Sequence, residues 1–253
     1  MRAIGAAAAA TLAVIVSATV VTAAEIRVLS VGSVQIATKA IAPEFEKDTG
    51  HKVVFTIVSP DLIAGRLASG TYDMLIASVP VIAALDKSGA IRAGTRAPLS
   101  RAGIGVMVRE GAPVLDVSTP DAFKKTLLAV KSIAYGDPAL PNQSGEVTVR
   151  ILTKAGILDA IKPKLRAAGL GPGLAMVAKG EVELALFNQV ELPKGVRLAG
   201  AVPFPLQDYT TYEAAVMAKG SAPDASQAFI TRLTSAGSRK SWEAARLEAY
   251  PYK

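Results

Sequence analysis

Residues 28–78 read VLSVGSVQIATKAIAPEFEKDTGHKVVFTIVSPDLIAGRLASGTYDMLIAS, and this stretch decides the fold. Its start belongs to a strand, Glu25–Ser30 (EIRVLS), rich in branched apolar residues. Gly32-Ser33 makes a turn, and from Val34 the apolar residues Ile36, Ala37, Ala40, Ile41 and Phe45 recur at helical spacing. Gly50 stops that helix, because glycine accepts the left-handed conformation a helix end often needs. A second strand, Lys52–Ile57, leads to Ser59-Pro60-Asp61, which opens a helix through Leu67; Gly70 ends it. Asp73–Ala77 is an unbroken apolar run of the kind found in strands buried on both faces. Strand, helix, strand, helix, strand implies an α/β fold with a mainly parallel sheet.

Outward from this core, the pattern changes past Gly89. A turn-rich stretch, Ala93 to Gly103, precedes a strand at Ile104–Val108. Thr119-Pro120-Asp121 starts a helix, Ser132–Tyr135 is a short strand, and a helix runs from about Ser144 to Lys154. Gly173–Lys179 reads as helix, and Glu183–Phe187 and Val196–Ala199 as strands. The end of the chain adds a strand at Glu213–Ala218 and helices near Ala222–Thr234 and Ser238–Glu248. Two strand–helix series therefore appear, and the segment after Pro205 is too small to fold alone. The expected organisation is residues 1–24 as a leader, 25–100 plus 205–253 as one lobe, and 101–204 as the other. The chain crosses twice between lobes, giving mixed, mainly parallel sheets flanked by helices and a hinged cleft.

At the other end, Arg2 precedes an apolar run from Ala3 to Val21, followed by the small residues Ala23 and Ala24 and the first acidic residue, Glu25. This is the pattern of a secretory signal peptide, cleaved near Ala23 or Ala24, and it predicts export. Removing it deletes only Arg2 among the charged groups, so the formal net charge falls from +7 to +6. Composition then excludes much chemistry. With no Cys there are no disulfides, thiolate metal sites, thiol nucleophiles or lipid-modified cysteines. One histidine, His51, cannot build a multi-His zinc site, so no metal site and no cofactor are expected. His51 is expected at a surface turn, away from the cleft. Aromatic residues at 5% are too few for stacking on nucleic-acid bases, and no GxxxxGK[ST] loop occurs.

The informative residues stand where strands give way to helices: Ser33, Ser59, Ser78 and Ser144. A helix N-terminus exposes unpaired N–H groups and about half a positive charge, so it binds anions without a buried cation. Serine also serves as an ordinary N-cap, which any one of these positions alone would satisfy. Four at equivalent positions predict a pocket for a small anion, and the positive net charge agrees with that through steering. Tyr72, Tyr209 and Tyr212 are candidates for the cleft's edge, and Trp242 for packing within a lobe.

Residues 28–78, YGDPALPNQSGEVTVRIL (135–152) and DYTTYEAAVMAKGSAPDASQAFITRLTS (from Asp208) resemble the periplasmic molybdate-binding proteins. This family belongs to the wider group of solute-binding proteins of ABC importers, and the likeness spans nearly the whole mature chain. The resemblance implies a two-lobed fold, a periplasmic location, a monomer, capture of a small anionic solute, and delivery to a membrane permease without catalysis. Molybdate or tungstate is the leading ligand it implies, bound as an oxyanion with no protein–metal bond. Ser33, Ser59 and Ser144 match family ligand positions, with a backbone donor near Leu170. Asn188, with Gln189 beside it, stands where the family has a tyrosine. Pro60 removes an N–H at the second junction and Asp61 adds a negative charge. Asn188 and Gln189 offer donors and acceptors, so a di- or tricarboxylate is the second reading. A third is an enzyme resembling aconitate isomerases, with Asp61, Tyr135 and Asp137 as the available bases.

Overall fold

The computed structural model describes residues 23–139, 143–189 and 192–252, so residues 1–22 of the expected leader lie outside the described residues. In chain order the first elements are β1 (Glu25–Val31), α1 (Gln35–Thr49), β2 (Lys52–Val58), α2 (Ile63–Ser69), β3 (Met74–Ser78) and α3 (Val79–Lys87). There follow β4 (Ala97–Arg109), α4 (Pro120–Ala129), β5 (Ile133–Gly136), α5 (Gln143–Lys154), α6 (Leu158–Ile161), β6 (Leu165–Ala168), α7 (Leu170–Lys179), β7 (Leu184–Asn188) and β8 (Val196–Ala201). The chain closes with β9 (Tyr209–Val216), α8 (Pro223–Leu233), α9 (Arg239–Ala244) and β10 (Glu248–Ala249).

Local chemistry explains the first half. Gly50 takes φ 75° and its N–H reaches the Glu46 carbonyl, closing α1 as a left-handed C-cap. Thr119 caps α4 by accepting a hydrogen bond from the Ala122 amide at 3.2 Å. Strand β1 pairs in parallel with both β2 and β3, whose five residues are all buried.

The sheet runs β2-β1-β3-β9-β4-β7-β5-β6, with β8 and β10 also on β4. Strand β4 belongs to both halves. Its residues up to Gly103 pair antiparallel with β9, and from Ile104 onward with β7 and β8. Gln207 clasps the change of partner: its Oε1 accepts from the Ile104 amide at 2.9 Å and its Nε2 donates to the Ile104 carbonyl at 2.9 Å. Apolar side chains gather in three clusters, one in the first half holding Phe45, Phe229 and Trp242, and two in the second, one with Phe123, Ile151 and Leu186 and one with Leu174, Val177 and Phe187. Each such buried side chain stabilises the fold by about 1.5–3 kcal/mol. The architecture is α/β and two-lobed. Trp242 packs within the first core and donates to the Leu233 carbonyl at 2.9 Å.

Three expectations are corrected. The stretch before Gly103 is strand from Ala97 onward, with Pro98 accommodated where the β4–β9 register shifts. The last helix ends at Ala244, and the chain turns back through Arg246 so that β10 pairs with Ser100 and Arg101. His51 is buried, its Nδ1 accepting from the Ala24 amide at 3.1 Å and its ring 5.9 Å from that of Phe45. It anchors the start of the first half, beyond the opposite end of β2 from Val58.

Candidate functional site

A cavity of about 650 Å³ opens where the two halves meet. Its wall is assembled from strand–helix junctions: Gly32 and Ser33 after β1, Val58 to Asp61 from the end of β2, Ser78 at the end of β3, Ser144 in the first turn of α5, and Gly169 to Pro172 at the start of α7. Gln35, at the start of α1, Asn188, at the end of β7, and Thr210 and Tyr212, from β9, supply the rest of the polar lining. Five of the six residues singled out from sequence thus share one cavity: Ser33, Ser59, Ser78, Ser144 and Asn188. Gln189 does not line it. Successive strand residues point to opposite faces, and Gln189 lines a separate hollow with Arg101 and Gln207, its amide donating to the Gly103 carbonyl at 2.8 Å.

Ser59 and Ser78 occupy N-cap positions with extended backbone, yet neither side chain caps its helix. Thr119, far from the cavity, does cap. The two serines therefore keep their hydroxyls for the cavity; behind Ser59 stands a single 3-10 turn in which Pro60 has no N–H and the Leu62 amide already donates to the Ser59 carbonyl at 3.0 Å. Ser144 arrives through a close backbone approach. A Cβ on Gly136 would stand 2.6 Å from the Gly145 nitrogen, so only glycine lets β5 and α5 meet this tightly.

The inner polar lining is a hydrogen-bonded chain. Asn188 Nδ2 donates to the Tyr212 hydroxyl at 3.0 Å, and Thr210 Oγ1 donates to Asn188 Oδ1 at 3.0 Å. Burial pushes the Tyr212 phenol up to about 12, against hydrogen bonds with Ser33 and Asn188 that pull the other way. It is therefore a neutral hydroxyl at physiological pH. A phenol is present after all, carried by β9 of the first half rather than following β7. Sequence alternation along Tyr209–Val216 carries the signal: Thr210 and Tyr212 share a face, while Tyr209 lies under the Arg101 guanidinium at 3.9 Å. Tyr72 packs against the first core instead. Of the other bases considered, Tyr135 packs against the second core, and Asp137 Oδ1 accepts from the Ala139 amide in its turn. Asp61 is the only charged side chain among the described residues that line the cavity. Among the described residues no cluster of three or more His, Asp or Glu could hold a metal ion.

A two-lobed α/β molecule with converging helix starts in its cleft defines a solute-binding protein, and residues 26–245 match the bacterial extracellular solute-binding protein family. The chain belongs to that family. An aconitate isomerase from a Pseudomonas species is 33% identical over 235 residues, covering 88% of this chain and 87% of that one. The molybdate-binding protein of Azotobacter vinelandii is 28% identical over 218 residues, covering 83% and 84%. Among solved structures, the sulfate-binding protein of Mycobacterium tuberculosis superposes with a TM-score of 0.72 at 18% identity, covering 90% of this chain and 88% of the other. Among the described residues no helix is long and apolar enough to cross a membrane.

Proposed function

We propose that this protein captures a small organic anion bearing carboxylates between its lobes and presents it to the permease of an ABC importer. One observation carries the reading: the cavity couples neutral hydroxyl and amide donors to apolar walls at Ile36, Ile57, Val58, Leu170 and Pro172. A carbon skeleton has surfaces to rest on there, and its carboxylates have donors to meet. At about 650 Å³ the space falls within the range of about 300–1,000 Å³ typical of small-molecule sites. A tetrahedral oxyanion such as molybdate or tungstate needs donors on all sides, and the second junction lacks one at Pro60, which has no N–H. The oxyanion thus becomes the second choice.

The lobes are taken as residues 25–100 plus 205–253 and residues 101–204, a division supported by the change of β4 partners beside Gly103. Ser33, Ser59, Ser78, Ser144 and Asn188 are the proposed ligand contacts, joined by Thr210 and Tyr212. The protein is read as a periplasmic monomer released by cleavage near Ala23 or Ala24. Isothermal titration with molybdate, sulfate, succinate and citrate tests the reading: a carboxylate binds and the oxyanions do not. Binding of molybdate alone would overturn it.

An isomerase on the same scaffold is the competing reading, favoured by the 33% identity to a protein of that activity. Moving a double bond needs one group to take a proton from one carbon and another to return a proton elsewhere. Asp61 as base and the neutral Tyr212 phenol as acid are the two titratable groups of the cavity wall among the described residues. Conversion of trans- to cis-aconitate, followed by proton NMR, separates an enzyme from a carrier.

A further inference from the structure

The cavity wall has a charge problem that its own residues do not solve. Asp61 is the only charged side chain lining it among the described residues, so a solute with two or three carboxylates would meet no cation inside. Cations stand just outside. A second hollow of about 620 Å³ is lined by Ile36, Leu192, Arg197, Leu198, Ala244 and Arg246, among others. Ile36 lines both spaces, and Ala244 and Arg246 flank Ala245 of the inner cavity, so the hollow is its vestibule.

The two arginines come from opposite halves. Arg197 lies on β8, where its Nη2 donates to the Ala112 and Pro113 carbonyls at 3.0 and 3.2 Å, which fixes the guanidinium's place. Arg246 follows α9 and is exposed, and no hydrogen bond or ion pair engages its side chain among the described residues. It is also the only non-glycine residue at positive φ among the described residues, at 60°. That conformation closes α9 and turns the chain back toward β10, with the Arg246 amide on the Glu243 carbonyl at 2.9 Å. An arginine there places a positive charge at the rim of the hollow.

We propose that the vestibule is a subsite for a second carboxylate of the solute, held between Arg246 of one half and Arg197 of the other. This rests on the reading of the cavity as an organic-anion site and adds its charge specificity. The inner donors hold one carboxylate; Arg246 can meet another with paired N–H to oxygen bonds, while Arg197, its Nη2 held by the Ala112 and Pro113 carbonyls, adds its charge and remaining N–H groups, and together they select solutes long enough to present that carboxylate. Because the arginines belong to different halves, only a solute that reaches both draws the mouth together.

The test is titration of the full-length protein with citrate and with lactate, in wild type, Arg246→Gln, Arg246→Lys and Arg197→Gln. Wild type should prefer citrate. Arg246→Gln should weaken citrate at least tenfold and leave lactate within about twofold, and Arg246→Lys should recover part of the loss. Arg246 is exposed, so its variants fold even if Arg197→Gln, which frees the Ala112–Pro113 carbonyls, does not. Unchanged citrate binding in Arg246→Gln, or equal loss for citrate and lactate, overturns the subsite alone. Binding of lactate but not citrate by wild type does the same. Binding of neither by wild type overturns the organic-anion reading and the subsite with it.

Discussion

Asn188 and Tyr212 meet across the boundary between the two halves, the amide of one donating to the hydroxyl of the other at 3.0 Å. Thr210 completes the arrangement from the side, donating to the Asn188 carbonyl oxygen at 3.0 Å. A polar contact at the seam therefore doubles as lining of the binding cavity. Its orientation is set before any solute arrives, which lowers the cost of organising donors on binding.

Replacing Asn188 with leucine keeps the volume, strands the buried Thr210 hydroxyl and leaves the Tyr212 phenol with Ser33 alone. An unsatisfied group costs about 1–3 kcal/mol. At about 2–4 °C of melting temperature per kcal/mol for a chain of this size, calorimetry should register a drop of several degrees. Affinity for the solute should fall with it, and an unchanged melting curve would show that the contact contributes nothing.

Tyr212 gives a prediction in alkali. Its phenol titrates at about 12 when folded and near 10 when unfolded, because burial disfavours the phenolate. A folded pKa above the unfolded one means the stability it contributes is complete below about pH 10. That stability drains away as pH rises through 12. Tyr212→Phe should flatten this part of the pH–stability curve and weaken solute binding about tenfold at pH 7, as expected for one lost donor to a charged acceptor.

Asp73 governs the acid side. Its carboxylate, fully buried, accepts from the Arg27 amide and guanidinium and from the Ser221 amide and hydroxyl. Burial pushes its pKa up, but the Arg27 and Ser221 hydrogen bonds outweigh it and hold the group at about 2, against 3.8 unfolded. A depressed folded pKa contributes stability above about pH 4 that is lost as pH falls toward 2. Asp73→Asn should lose about 2 kcal/mol of stability at pH 7, the linkage value of a carboxylate held at about 2 instead of 3.8. It should also lose most of the slope between pH 4 and 2.

Asp61 should oppose any anion in the cavity. Asp61→Asn is expected to tighten anion binding about three- to tenfold at low salt, with the gain shrinking as ionic strength rises. Combining it with Pro60→Ala restores an N–H at the second junction, and titration should then detect molybdate binding stronger than in wild type. If the double variant ignores molybdate, the second junction does not govern the choice of anion.

Much of this was legible in the chain because its signals are local. Strands β1 to β3 announce themselves through branched apolar runs punctuated by Gly50 and Gly70, and the serines at their ends fall where topology puts them, around one space. What stayed hidden depends on distant partners. Ala97–Gly103 has no strand pattern of its own; β9 and β10, more than a hundred residues later, make it a strand. The same dependence hides the turn at Arg246, imposed where the chain must double back from α9 to reach β4. Gln189 and Tyr212 turn on a parity question, since moving one residue along a strand reverses the face.

The continuity of β4 through both halves has a mechanical meaning. A connector free of ladder bonds would let the lobes swing as on a loose string. A strand tied along both edges, with Gln207 pinning its midpoint, acts as a leaf spring: it stores torsion when flexed and returns it when released. Any relative movement of the two halves must therefore twist this strand and the ladders along it.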